Sequence, residues 1–401
     1  MDNLEQHLKE VAKSDSLDEQ SRTLLQDCRD LLRSHDTLPS EQGLPQLLEA
    51  LLTTILKPLF SHSTVRSYNR AKWVSDTPKP WRDSAAWCLE VLSWSLDQYQ
   101  TLEPCLLSRV LESHLLLLIP PILTLLDDDH VEQKARGCRM LDKLCTQFSR
   151  CQSDLLRRTG LYKVFEESIT PNMLLLPSLT PEDQSLEMLR SLYPAYRSLV
   201  SATFDLANTK MTYTGNIRDG ISPTRQPNLE DCYKPDPHGG RKPMLDKMFR
   251  NGLMTGYLHA SDHPQIAALL VSEMAPTIET MGISSVKYLS QLLPLLRNIV
   301  MGPFAAAYEP LLEAVINLLQ QLILQCWPRI QEAWWEECLR IVVGLWLLIS
   351  DQDVMEAGRL KTDTRALVRL LVKLHEPNQV RRCFDLMLVE YPPLAELLPP
   401  I

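Results

Sequence analysis

The sequence predicts an all-α fold, an irregular HEAT- or armadillo-like α-solenoid of helical pairs. Three observations carry that expectation. Apolar residues recur at the i, i+3, i+4, i+7 spacing of a buried helical face, as in Leu311, Leu312, Val315, Ile316, Leu319, Leu322 and Ile323, or Leu367, Leu370, Leu371 and Leu374. Period-two alternation, the mark of a half-buried strand, is almost lacking. Helical segments also follow one another in pairs spaced at about forty residues, near the repeat length of HEAT and armadillo units, without a strict sequence repeat.

The bulk properties fit such a chain and exclude several function classes. Its 401 residues leave room for two or three ordinary domains or one continuous stack. It is 45% hydrophobic and 23% charged, enough to bury a sizeable core. Asp and Glu number 50 against 41 Lys and Arg, a net charge of -9. Binding to a phosphate backbone rests on clustered Lys and Arg, and no basic block offsets this average, so nucleic acid is not an expected direct partner. Ten cysteines with no CxxC pair lie mostly within helical patterns, where they act as small hydrophobes in a reducing intracellular compartment. Met1-Asp2-Asn3-Leu4-Glu5 lacks the basic start and apolar core of a secretory signal. The strongest apolar run, Leu115 to Leu126, reads as too short for a bilayer and is interrupted by Pro120-Pro121, so no membrane is expected either.

The elements follow in order. Residues 1–35 read as two modest amphipathic helices, loosely attached. Leu44 to Phe60 is a stronger helix, with Leu47, Leu48, Leu51, Leu52, Ile55 and Leu59 in register. Prolines 78 and 80 mark a loop, and Trp81 opens the next helix, on which Trp87, Val91 and Trp94 share a face. Pro120-Pro121 makes a corner between two buried helix pieces. Asp127-Asp128-Asp129 then sits where carboxylates cap a helix and offset its dipole. Thr180-Pro181-Glu182-Asp183 has the form of a helix start with Thr180 as N-cap, and Pro194 should kink or end that helix near Tyr193. Residues 205–243 are broken by repeated Gly and Pro and form a linker. It divides an N-terminal helical half, 1–204, from a C-terminal half, 244–401. Helices then run from Pro264 to Met281, through Val286 to Val300, and over about 304–325, 328–349, 361–375 and 379–391.

Catalytic constellations are sparse. His259, Asp262 and His263 form the one compact set of ligand types, with Cys232 and His238 upstream, so a zinc site and a metal-dependent hydrolase are one reading. The other is that Ser261 or Asp262 caps the helix after Pro264. Gly239-Gly240-Arg241-Lys242 lacks the upstream glycine of a phosphate loop and reads as a turn into a helix. There is no G-x-S-x-G elbow. Ile330, Trp334, Ile341 and Leu345 take one side of their helix, and Trp335, Leu339, Val342, Trp346 and Ile349 another. Such a helix is either buried on several sides or lends one of them to a partner, where aromatics are energetic anchors.

Two strings resemble a known family. Leu175 to Leu186 (LLPSLTPEDQSL), followed by Tyr193-Pro194-Ala195, and Met281 to Pro294 (MGISSVKYLSQLLP) are similar to segments of the Tti-two family, the second Tel-two-interacting protein of the TTT complex. The resemblance covers roughly 170–305 and is weaker towards the C-terminus. It implies a helical-repeat subunit with no catalytic residues, cofactor or metal. Its partners would be the larger Tti subunit and the Tel subunit. Through them it would support maturation of phosphatidylinositol-3-kinase-related kinases, including the TOR and DNA-damage-checkpoint kinases, with the ninety-kilodalton heat-shock chaperone. A cytoplasmic and nuclear location goes with that role. The expected partner-binding residues are Lys287, Tyr288, Trp334, Trp335 and Trp346, placing most of the contact in the C-terminal half. The same architecture would suit another adaptor, such as a transport or trafficking scaffold.

Overall fold

Helices form wherever the leucine periodicity runs, and they run further than the prolines suggest. The computed structural model describes residues 2–13, 17–35, 40–60, 79–205, 239–302, 307–351 and 357–398. Among the described residues the chain is all-α, with no strand. Contacts divide it into two compact units, Met1–Asn172 with Glu187–Asn208, and Met173–Leu186 with Thr209–Ile401.

The first unit begins with α1 (Asp2–Val11), α2 (Glu19–His35) and α3 (Ser40–Ala50). A π-turn over Leu51–Leu56 then leads into α4 (Lys57–Phe60). Leu4, Leu8, Leu25, Cys28 and Leu32 are buried, so the first two helices belong to the core and are not loosely attached. Next come α5 (Cys88–Gln98), α6 (Pro104–Leu126), α7 (Val131–Cys151), α8 (Leu155–Thr159), α9 (Leu161–Ile169) and α10 (Glu182–Phe204), of which Glu187 onward belongs to this unit. Trp81 does not open a helix: residues 80–87 are turns, and Trp81 is buried in stacked contact with Phe60, ring centroids 5.1 Å apart.

Pro120-Pro121 is not a corner. α6 runs through both prolines for 23 residues. An interior proline costs about 3 kcal/mol, through a lost N–H bond and a clash with the carbonyl four residues back. Against this, Leu107, Leu111, Leu115, Leu118, Ile122 and Leu125 are all buried, and each buried side chain of this size contributes about 1.5–3 kcal/mol. The carbonyls that lose donors are those of Leu116 and Leu117, and Leu116 lies on the exposed face. At this length α6 is long and apolar enough to cross a bilayer, as is Pro264–Val300, contrary to the sequence expectation for the shorter run. Their most apolar windows are 56% and 61% buried within the protein, as in core helices. Pro194 likewise neither ends nor interrupts α10.

Of the Asp127–Asp129 acids, Asp128 and Asp129 act as ion partners, not as side-chain caps of α7, whose N-cap His130 makes no side-chain cap bond. Asp128 is buried and pairs with Arg82 and with Lys79 (3.4 Å), while one of its oxygens accepts the His130 N–H at 2.9 Å. Asp129 pairs with Lys79 at 3.0 Å, which holds its carboxyl below the usual range. Thr180 is not the N-cap of α10. The first helical bond runs from the Ser185 N–H to the Pro181 carbonyl, and the Ser185 hydroxyl donates to the Thr180 carbonyl.

In the second unit α11 (Arg241–Lys247), a π-turn over Met248–Met254 and α12 (Thr255–Ala260) lead to α13 (Pro264–Met281). Residues 206–238 of the expected linker lie outside the described residues. Arg241 is buried and donates to the Thr280 carbonyl at 2.6 Å. His263, not Ser261 or Asp262, takes the N-cap position of α13, without a side-chain cap bond, and the helix ends at Gly282, whose φ of 58° is one that an L side chain rarely adopts. A 3-10 turn, Gly282–Tyr288, leads to α14 (Leu289–Val300). α15 (Glu309–Arg329) bends at Cys326 (φ -116°, ψ 15°), two residues before Pro328, so the expected break becomes a kink within one helix. A π-turn, Ile330–Trp334, joins it to α16 (Trp335–Asp351), followed by α17 (Ala357–Val372), α18 (Pro377–Glu390) and a 3-10 turn at Pro392–Glu396. The most extensive pairings are α6 with α7 in the first unit, and α13 with α15 and α16 with α17 in the second.

Two expectations follow. A Cβ on Gly137 would lie 2.9 Å from the Leu126 backbone nitrogen and 3.0 Å from the Leu125 Cβ, where α7 meets the end of α6. Gly137→Ala should therefore lower stability by about 1–3 kcal/mol despite the better helix propensity of Ala, read as a lower urea midpoint at unchanged slope. Secondly, buried Tyr99 and His114 meet at 2.8 Å (Oη to Nδ1), and burial pushes the His114 pKa down against an opposing influence of Glu49. Since the folded value lies below the unfolded one of about 6.5, this stability is complete above that pH and lost as pH falls towards the folded value. Wild type should weaken more steeply than His114→Gln as pH drops below about 6.5 in denaturant titrations.

Candidate partner-binding surface

The residues singled out from sequence fall into two groups within the second unit. The first is built on Asp246 of α11. Its two oxygens accept from Lys287 Nζ at 2.6 Å and from Tyr288 Oη at 2.9 Å. The Tyr288 ring packs on Phe249, centroids 4.5 Å apart, and Lys287 Nζ lies 5.2 Å from the centre of the same ring. Burial and the Asp246 carboxylate push the Tyr288 phenol above its ordinary range, so it stays protonated and donates. Tyr288 is thus a buried brace between the 3-10 turn and α11, and Lys287 is its exposed neighbour.

The second group lies where α15, α16 and α17 meet. Trp335 is half-buried; its indole N–H donates to the Leu371 carbonyl at 3.0 Å, and its ring meets His375 edge-on at 5.0 Å. Trp346 is buried, with Lys361 and Arg365 over its ring at 5.5 and 4.9 Å. Arg365 Nε also donates to the Glu396 carbonyl, tying the last 3-10 turn to α17. Trp334, half-buried on the π-turn, carries more exposed surface than Trp346. Ile341 and Leu345 on one side of α16, and Leu339, Val342 and Ile349 on the other, are all buried, so α16 is an inner helix. Sequence reasoning missed Asp246, Lys361 and Arg365, because nothing in local spacing reports a partner roughly forty or fifteen residues away.

His259, Asp262 and His263 do not converge. His259 and Asp262 are exposed, and His263 Nδ1 faces Glu182 Oε2 at 3.1 Å. Among the described residues no three His, Cys, Asp or Glu side chains form a metal-binding group; Cys232 and His238 lie outside them. Burial pushes the thiols of Cys28, Cys138 and Cys338 up to about 12, so they remain protonated and act as core hydrophobes.

An all-α protein of paired helices, with most of its described cysteines buried as packing, belongs structurally with the helical proteins. The chain is a member of the Tti2 family, whose model matches residues 4–307. The match reaches well before residue 170, into helices where no familiar string was legible. Membership makes the chain a scaffold component of the TTT complex. Neither a curated protein nor a solved structure matches the chain.

If Trp335 is a brace, Trp335→Phe should lower stability by about 1 kcal/mol through the lost indole hydrogen bond. Thermal melts and denaturant titrations of the full chain check this.

Proposed function

We propose that this chain is the non-catalytic adaptor of the TTT complex that binds and stabilises the larger Tti subunit, and with it the Tel subunit. Through that assembly it supports maturation of phosphatidylinositol-3-kinase-related kinases, the TOR and DNA-damage-checkpoint kinases among them, alongside the ninety-kilodalton heat-shock chaperone. The roles in DNA-damage response and telomere maintenance follow from those clients, and the work is done in cytoplasm and nucleus. The family match over residues 4–307 is the observation that carries this reading. The all-α architecture supports it, since stacked amphipathic helices offer long surfaces for constitutive binding. A HEAT-like solenoid is part of the same proposal.

Within the second unit, exposed Lys287 and half-buried Trp334 and Trp335 are the members of the expected set with side-chain surface to offer a partner, while Tyr288 and Trp346 are buried. Affinity purification of the tagged full chain from cells should recover Tel and Tti subunits together with the kinases. Recovery of transport receptors or coat proteins in their place would overturn the reading. Trp334→Ala combined with Lys287→Ala should reduce recovery of the larger Tti subunit several-fold at a temperature where circular dichroism shows the variant still folded.

A further inference from the structure

α18 is apolar on two opposite faces, and only one of them is covered. Val380 and Phe384 point inward and are buried, with Cys383, Met387 and Leu388 half-buried beside them. On the far side Leu386 and Val389, three residues apart and therefore neighbours on one stripe, are 71% and 82% exposed, and Tyr391 at the helix end is 44% exposed. The other large exposed apolar side chains among the described residues lie further apart along the chain: Leu116, Val164, Leu174, Leu179, Leu258 and Met301. Single exposed leucines are ordinary, but an adjacent pair on a stripe needs an account.

The charges around that stripe give one. Arg382 precedes Leu386 by one turn, Asp385 precedes Val389 by one turn, and Glu390 follows Leu386 by one turn. All three are exposed, and among the described residues none of them takes part in an ion pair. Elsewhere in the unit exposed charges do pair: Arg340 with Glu336 and Glu337, Arg329 with Glu332, and Arg359 with Glu313. An apolar pair flanked by two open carboxylates and one open guanidinium is half of a helix–helix contact.

We propose that the outward face of α18 is the docking site for an amphipathic helix of a partner subunit. That helix presents two apolar side chains one turn apart to Leu386 and Val389, Lys or Arg to Asp385 and Glu390, and an acid to Arg382. The inference rests on the adaptor reading above and names a surface for it outside the family-matched residues.

The test uses the full chain, tagged and recovered from cells, in three forms: wild type, Leu386→Asp with Val389→Asp, and Asp385→Lys with Glu390→Lys. Both variants should lose recovery of the TTT subunits at least tenfold while melting as wild type does. The charge-reversal pair leaves the apolar residues intact, so it decides the matter if the first variant folds poorly. Wild-type recovery by the charge-reversal variant overturns the surface and leaves the adaptor reading standing. Wild type that recovers no TTT subunit overturns both. Sedimentation of wild type as a dimer, with both variants monomeric and partner recovery intact, assigns the face to a second copy of the chain and also overturns the proposal.

Discussion

Side-by-side burial of leucine-rich helical faces sets the rest of this structure. α6 and α7 show its strength most directly, because α6 holds two consecutive prolines and is still one helix. Two missing N–H groups and two ring clashes act over a single turn, whereas apolar burial acts along the whole length of the pair. The small residue at the tightest approach, Gly137, lets the two backbones meet where the helices leave their connecting turn. The same balance carries α10 through Pro194 and reduces the break near Pro328 to a bend at Cys326.

The buried charged groups Asp128 and Arg241 enter this packing with partners that answer them. Buried Asp128 faces Lys79 and Arg82 and takes up the His130 N–H, so the turn before α5 is fastened to the α6–α7 connection. Asp246 does the corresponding work for the 3-10 turn that carries Lys287 and Tyr288, and Arg241 is satisfied by the carbonyl of Thr280 near the end of α13. Leaving buried Asp128 without its cations would cost several kcal/mol (about 3–5 for a broken buried pair), so this contact fixes where the turn before α5 rests. Exposed pairs such as Arg340 with Glu336 contribute little to stability and chiefly keep the outer faces polar.

For an adaptor these two features have a functional consequence. Interior aromatics such as Tyr288 and Trp346 hold helices in place, which leaves recognition to side chains standing on the rigid frame. Rigid helices present such side chains without an ordering penalty on binding, a requirement for constitutive assembly.

Much of the fold was legible in order of residues alone. Helical periodicity is a local property, so the all-α class, the faces of Leu312 to Ile323 and Leu367 to Leu371, and the Pro264–Met281 helix with its Gly282 stop could be read directly. Family strings around Thr180 and Val286 were legible for the same reason. The fate of each proline was not, because it depends on how much apolar surface a neighbouring helix covers. Nor were the roles of the acids: Asp128 resembled a cap until Lys79 and Arg82 were brought to it, and Asp246 carried no signal until Lys287 and Tyr288 arrived roughly forty residues later in the chain. Tyr288 and Trp346 stand among the candidate partner-binding residues and folding buries both, since helical period gives the direction of a side chain while the neighbouring helix alone decides whether that direction meets water.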